Sequence, residues 1–240
     1  MRNLCEQSKG IFTASDLKLI ACVFMAVDHI GAYLFPHIIW FRIAGRIAFP
    51  IFAYFIAEGC GYTRNKVKRL LLLLVPGVIF EGVCILVLKK YYGNIFLTFT
   101  LSVIVIYALQ WLKKAYFSGE RIKTVFAVLV FFAMLFGAWA GNEIYHVDYG
   151  FFGVLIPVFA ALFEGKHNRD FRLLSFSAGL VLLAVKLGLN NIQVWSLMAV
   201  PFLALYNCEA GIKKFKYGFY LFYPIHLIVI WLIGMLMQNV

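Results

Sequence analysis

The run from Leu17 to Pro36, LKLIACVFMAVDHIGAYLFP, constrains this chain more than any other stretch. It is apolar over about 20 residues, the length a helix needs to cross the hydrocarbon core of a bilayer. Near its middle stand two ionisable side chains in succession, Asp28 and His29. A charge at that depth costs roughly 2.5–3.5 kcal/mol even on the milder insertion scales, and such residues face the interior of a bundle. A plain anchor helix would carry Leu or Val there. The stretch therefore predicts a bundle built around a buried polar centre, with His29 as its chemical focus.

The rest of the chain agrees. It is 63% hydrophobic and 14% charged, with the charges bunched between long apolar runs. Soluble domains are nearer 45–50% apolar. A transmembrane barrel would show short alternating strands, which this sequence lacks. The expectation is an all-α, polytopic transmembrane helical bundle, a single membrane domain over 1–240, with 1–15 a cytoplasmic N-terminal segment. Spans are expected over 17–36, 42–60, 69–88, 95–112, 123–141, 149–163, 171–187, 191–206 and 217–237. That makes about nine, within a range of eight to ten, at about 20 residues each. Thr13-Ala-Ser-Asp16 reads as a capping box opening the first helix.

A net charge of +11 invites a nucleic-acid partner. The basic residues, however, fall in short loops at helix ends, where lipid headgroups and the positive-inside rule account for them. Arg2, Lys9, Lys18, Arg64, Lys66, Lys68, Arg69, Lys113, Lys114, Arg121, Lys123, Lys166, Arg169, Arg172, Lys213, Lys214 and Lys216 lie on one side of the expected topology. Only Arg42, Lys89, Lys90 and Lys186 lie on the other. This bias places the N-terminus in the cytoplasm and leaves membrane lipids, not nucleic acid, as the general partner. The polar N-terminus leads straight into a full-length span, so no cleaved signal peptide is expected. Cys5, Cys22, Cys60, Cys84 and Cys208 show no CxxC spacing, so reduced thiols and no metal site are expected.

At about 1.5 Å of rise per residue, Asp28 and His29 lie roughly 16–18 Å above the inner start of their helix. By the same measure Glu81 lies about 18 Å up the third helix and His226 about 14 Å up the ninth. A neutral imidazole at shared depth with such partners is a candidate general base for an amine or hydroxyl. The alternative is a structural histidine bonded to a carbonyl of a neighbouring helix. Asp28 points about 100° away from its neighbour and pairs more naturally with another helix, with Arg46 as the candidate. Arg42 and Arg46, four apart, share a face. Arg42 at the outer edge reads as a snorkelling anchor. Arg46 is deeper and needs an acid, a phosphate or a developing oxyanion. Pro50 is expected to kink that helix.

Glu81 is a candidate partner for Arg46 or orienter of His29. Glu58 sits near the inner end of the second span, and Asp148 and Tyr149 open the sixth. Tyr223 and His226 share one face of the last helix, which an aromatic packing stripe would also explain. Asn94 and Thr98 either serve a site or cap and pack. There is no HExxH, Walker loop or Gly-rich dinucleotide fingerprint.

Several of these elements occur together in one family. DHIG in the first span, GRIAFPIFAY and the acids that follow it, NIFLTF, VDYGFFGVLIPV and FYLFYPIH resemble the TraX family, in order, from about residue 16 to 232. TraX proteins are inner-membrane proteins of bacteria, the founding member being required to acetylate the N-terminus of conjugative pilin. The family is grouped with the acyltransferase-3 superfamily of membrane acyltransferases. The resemblance implies a cytoplasmic acetyl-CoA donor and a catalytic histidine on the first helix. Carried onto this chain it implies His29 as general base with Asp28, Arg46 and Glu81 as catalytic partners. Glu58, Asn94, Asp148, Tyr149, Tyr223 and His226 become candidates for substrate or donor contacts.

The CoA phosphates are expected on Arg64, Lys66, Lys68 and Arg69, with the pantetheine arm reaching toward the midplane. An acceptor protein, glycan or small molecule would arrive from the outer side, and Arg46 or a backbone donor would steady the oxyanion. Two readings from other classes stand beside this one. Midplane Asp, Glu and His also serve proton-coupled transporters, and the chain could be a non-catalytic membrane partner of a pilus or secretion apparatus. The acceptor, the acyl chain length and the oligomeric state are left open.

Overall fold

A computed structural model describes residues 10–91, 93–165, 168–212 and 218–238. Arg2, Cys5, Lys9, Lys166, Lys213, Lys214 and Lys216, named above, lie outside the described residues. Among those described the chain is helical and has no strand, only an isolated bridge between Phe12 and Tyr206. It is a polytopic helical membrane protein. The helices are α1 (Ala14–Tyr33), α2 (Ile39–Gly45), α3 (Ala48–Tyr62), α4 (Lys66–Val83), α5 (Ile95–Phe117), α6 (Arg121–Tyr145), α7 (Gly150–Ala161), α8 (Arg169–Leu187), α9 (Ala199–Ala204) and α10 (Gly218–Gln238). A π turn, Cys84–Leu88, follows α4, and a 3₁₀ segment, Ile192–Met198, precedes α9.

Among the described residues, five stretches are long and apolar enough to cross a membrane: Ile39–Tyr62, Lys66–Val87, Ile95–Phe117, Arg121–Tyr145 and Gly218–Met237. The other expected spans are also helical but differ in length or charge. α1 has 20 residues and carries Asp16, Lys18 and Asp28. α7 has 12 residues, and α8 carries Arg169, Asp170, Arg172 and Lys186. The apolar stretch Ile192–Ala204 is short and half of it is 3₁₀.

The chain forms two compact units, Met1–Ala53 with Gly165–Val240, and Tyr54–Glu164. In the first, α1 packs against α2 and α10, α2 meets the 3₁₀ segment, and the 3₁₀ segment meets α8 and α9. α1 starts at the expected capping box: Thr13 Oγ1 accepts from the Asp16 amide, and the Asp16 carboxylate accepts from the Thr13 amide at 2.9 Å. The segment before it is tied down as well. The Phe12 amide donates to the Leu205 carbonyl, the Asn207 amide to Phe12, and Ser15 Oγ to the Ala210 carbonyl.

The span containing Pro50 is interrupted, as expected, but ahead of the proline. Arg46 and Ile47 separate α2 from α3, with the Arg46 and Ile47 amides turned onto the carbonyls three residues back. Proline lacks the N–H that the Arg46 carbonyl would accept in a continuous helix, and its ring crowds that carbonyl.

α1 and α2 approach closely at two glycines. A Cβ on Gly31 would overlap the Phe41 side chain, and one on Gly45 would overlap Asp28. Small residues allow this approach in membranes, where association rests on packing rather than on water exclusion.

In the second unit α5 packs against α4, α6 and α7. Asn65 and Asn94 cap α4 and α5 by accepting from the Lys68 and Phe96 amides. Ser102 Oγ donates to the carbonyls of Thr98 and Val154, joining α5 to α7.

Candidate functional site

Two polar clusters contain most of the candidate residues. The first lies in the first unit. Asp28, 7% exposed, projects from α1 onto Arg46, 8% exposed, with Asp28 Oδ1 2.5 Å from Arg46 Nη2. Arg42 Nη1 donates to Asp28 Oδ2 at 2.8 Å and to the Asp28 carbonyl at 3.3 Å. Arg42 is therefore not the outward-snorkelling anchor expected above. Its four-residue spacing from Arg46 puts both guanidiniums on the face of α2 turned to α1. Arg46 also donates through Nε to the Arg42 carbonyl and through Nη1 to Gln193 Oε1 at 3.2 Å. Its Nε, Nη1 and Nη2 atoms are all engaged within the protein, which casts it as the anchor of Asp28 and Gln193.

One residue further along α1, His29 faces a different partner. Its Nδ1 lies 2.8 Å from His226 Nε2, and the other nitrogen of His226, Nδ1, lies 2.7 Å from the Phe222 carbonyl. These contacts determine the tautomers, since a carbonyl only accepts. His226 Nδ1 carries a proton, so its Nε2 presents a lone pair in the neutral ring. His29 Nδ1 must then donate. What remains on His29 is the Nε2 lone pair. Tyr33 and Tyr223 flank the ring at centroid distances of 6.3 and 6.4 Å, and His29 itself is only part-buried. His226 is 7% exposed and stacks on Phe222 at 4.8 Å. The shared face of Tyr223 and His226 is thus turned to α1.

The second cluster lies in the second unit. Glu81, 5% exposed, accepts through Oε2 from Asn94 Nδ2 at 2.9 Å, from the Gly93 amide at 3.1 Å and from the Asn94 amide at 3.4 Å. Asn94 Nδ2 donates to the Gly77 carbonyl as well. The Asp148 amide donates to the Gly93 carbonyl at 2.5 Å, and Thr98 Oγ1 donates to the Asp148 carbonyl at 2.8 Å. Gly93 has φ +65, a region open to glycine at no steric cost. Tyr149 follows at φ 61, its amide held by Asp148 Oδ1. A Cβ on Gly153 would overlap the Tyr149 side chain, so the second glycine of DYGFFG makes room for the tyrosine. Asn94 and Thr98 cap and brace here, and Asn94 in addition binds the Glu81 carboxylate.

Of the basic residues expected to meet phosphate, Arg64, Lys66 and Lys68 are exposed. Lys66 Nζ stands 4.7 Å over the Tyr107 ring. Arg69 differs: its Nη2 donates inward to the Ile56 carbonyl at 2.9 Å. Glu58 is buried at 9% exposure in α3.

Gln193 and Ser196 were not singled out above. Both are buried, at 3% and 0% exposure, and both retain an atom with no hydrogen-bond partner, Gln193 Nε2 and Ser196 Oγ. Their segment reads as an apolar span in which uncharged polar residues draw no notice. Only its 3₁₀ geometry aligns them.

Comparison with known proteins bears on the whole chain. The family model described as TraX protein matches residues 13–234. A protein of Dichelobacter nodosus named as probable fimbrial assembly protein FimC, serogroup H1, is 26% identical over 95% of this chain and 98% of its own length. An uncharacterized protein of Rickettsia prowazekii (strain Madrid E) is 35% identical over 31% of this chain and 28% of its own. No solved structure matches.

Proposed function

This chain belongs to the TraX family, and from that premise and the paired imidazoles we propose that it is an integral-membrane acetyltransferase. It moves an acetyl group from cytoplasmic acetyl-CoA to an amine or hydroxyl acceptor on the outer side of a bacterial inner membrane. The observation that carries the reading is the ordered chain Phe222 carbonyl, His226, His29, which leaves a basic lone pair on His29 Nε2. A general base must present such a lone pair within reach of the proton it removes.

In this reaction the acceptor nitrogen or oxygen attacks the thioester carbonyl carbon while His29 Nε2 takes its proton. The tetrahedral intermediate collapses, the carbon–sulfur bond breaks, and CoA leaves as a thiolate that receives that proton. As His29 charges, His226 Nε2 faces the imidazolium and steadies it. Asp28, Arg42 and Arg46 fix α1 against α2 and so position the residue next to Asp28. Glu81 and Asn94 serve as a brace of the second unit. Arg64, Lys66 and Lys68 are exposed cations of the chemistry that binds phosphate, while Arg69 is committed to backbone carbonyls. The grouping with the acyltransferase-3 superfamily is part of the same proposal.

The relative named for fimbrial assembly makes a fimbrial or pilin amine the first acceptor to test. The same name favours a second reading, a non-catalytic assembly partner, for which CoA binding is not required. The test uses purified protein in lipid nanodiscs, radiolabelled acetyl-CoA and a peptide amine acceptor. Wild type is expected to consume the donor, and His29→Ala to be slower by roughly 10²–10⁴, the usual contribution of a general base. Equal turnover in the two proteins would refute the assignment of His29. No binding of CoA to wild type would favour the assembly partner.

A further inference from the structure

The reaction needs a place for the oxygen of the thioester carbonyl, and the residue expected from sequence for that role, Arg46, uses its Nε, Nη1 and Nη2 atoms within the protein. We propose that Gln193 Nε2 and Ser196 Oγ form a donor pair that receives the carbonyl oxygen of the acyl donor. The inference rests on the acetyltransferase reading and adds to it the residues that hold the acyl group.

Buried polar groups in folded proteins are almost always hydrogen-bonded, and each exception asks for a reason. Here two exceptions fall on one turn of the 3₁₀ segment Ile192–Met198. A 3₁₀ helix has three residues per turn, so side chains at i and i+3 eclipse. The burial pattern follows that stripe. Gln193, Ser196 and Ala199 are at 3%, 0% and 0% exposure, while Trp195 and Met198 between them are at 43% and 48%. Both orphan atoms therefore belong to one inward-facing stripe.

At about 2.0 Å of rise per residue, the two residues are roughly 6 Å apart along the axis. A carbonyl oxygen has two lone pairs, one for each donor. The carboxamide of Gln193 is held in place because its Oε1 accepts from Arg46 Nη1. That bond fixes Nε2 as the free donor end. The segment is itself anchored, since Asn191 Oδ1 accepts from the Gln193 amide at 2.9 Å. A hydrogen-bonded path of Gln193, Arg46 and Asp28 then leads to the residue beside His29. Donors aimed in advance at an oxygen that gains charge are a large source of rate enhancement.

The experiment uses the full-length protein in nanodiscs and two CoA analogues. Acetonyl-dethia-CoA keeps a ketone oxygen where the thioester has its own, and S-ethyl-CoA has none. Titration calorimetry on wild type is expected to show the ketone bound roughly tenfold tighter, the worth of one or two neutral hydrogen bonds. Gln193→Glu keeps the acceptor for Arg46 but replaces the free donor by a carboxylate oxygen. It is expected to abolish the ketone preference, to leave S-ethyl-CoA binding unchanged, and to lower kcat roughly 10²-fold, while KM for acetyl-CoA rises by no more than about the tenfold carried by the ground-state bonds.

Ser196→Ala guards against simple misfolding. It removes a buried hydroxyl that has no partner, so thermal stability is expected to be retained while kcat falls. Wild-type kcat and ketone preference in both variants would overturn the donor pair, leaving only a buried water to occupy the stripe. Wild type that binds neither analogue would overturn the acetyl-CoA reading together with this inference. Wild type that binds both analogues, with the same affinities in all three proteins, would overturn the donor pair alone.

Discussion

Replacing Asp28 by Asn tests whether the first unit is held by charge. The two side chains have nearly the same shape, so packing against Gly45 is preserved and the loss is electrostatic. In the protein Asp28 is 7% exposed and accepts from Arg42 at 2.8 Å and from Arg46 at 2.5 and 2.6 Å. Removing one partner of a buried ion pair leaves uncompensated charge and costs about 3–5 kcal/mol. For a chain of this size 1 kcal/mol moves Tm by roughly 2–4 °C, so the expected fall is about 6–20 °C. Buried thiols give the readout. Cys22, on α1 itself, is 4% exposed and becomes available to a thiol-reactive fluorophore when α1 leaves its neighbours. The partner experiment is Asp28→Asn with Arg46→Met. Replacing a buried pair by uncharged groups is often near neutral, so the double variant is expected to recover much of the loss. A fall below 2 °C for Asp28→Asn, or strict additivity in the double variant, would refute the claim that these charges depend on one another.

Three further outcomes follow from the geometry. Gly45→Ala places a methyl group on Asp28 and is expected to cost about 1–3 kcal/mol as overpacking, whereas Gly137→Ala, whose Cβ would meet open space, is expected to be neutral or mildly stabilising in the same thiol assay. Glu81→Gln weakens the acceptor for Gly93 and Asn94, so hydrogen exchange at those two amides is expected to accelerate roughly tenfold, in line with loss of a charge-assisted bond worth about 1.5–3 kcal/mol; unchanged exchange would refute the brace.

The third outcome concerns pH. The amide of Thr13, and then its hydroxyl, hold the Asp16 carboxyl below the usual carboxylate range. A folded pKa below the unfolded one means that the stabilisation is present above the unfolded value and fades as pH falls through the folded value. Thr13→Val is expected to raise the Asp16 pKa, measured by carboxyl carbon NMR, toward the ordinary range, the amide bond keeping part of the shift.

Much of this was readable from residue type and spacing. The Thr13 box, the helical run around Asp28, and the Arg46 partnership followed from side-chain chemistry that tolerates few alternatives in a bilayer. Arg42 was misplaced because depth was measured along a continuous helix, and the break at Arg46 and Ile47 ends α2 within a turn of it. Asn94 was seen as a cap, but its second role with Glu81 depends on a left-handed glycine that periodicity does not reveal. The approach of His226 to His29 required knowing that α10 lies against α1, a long-range contact no local pattern encodes. Gln193 and Ser196 escaped because a three-residue repeat of neutral polar side chains inside an apolar run carries no hydropathy signal.

The interruption ahead of Pro50 makes a jointed rod out of what would otherwise be a stiff span. The seven-residue helix that carries Arg42 and is capped by Arg46 is keyed into α1 by Gly31 against Phe41 and by Gly45 against Asp28. It therefore travels with the first helix, and the placement of its guanidiniums is inherited from α1.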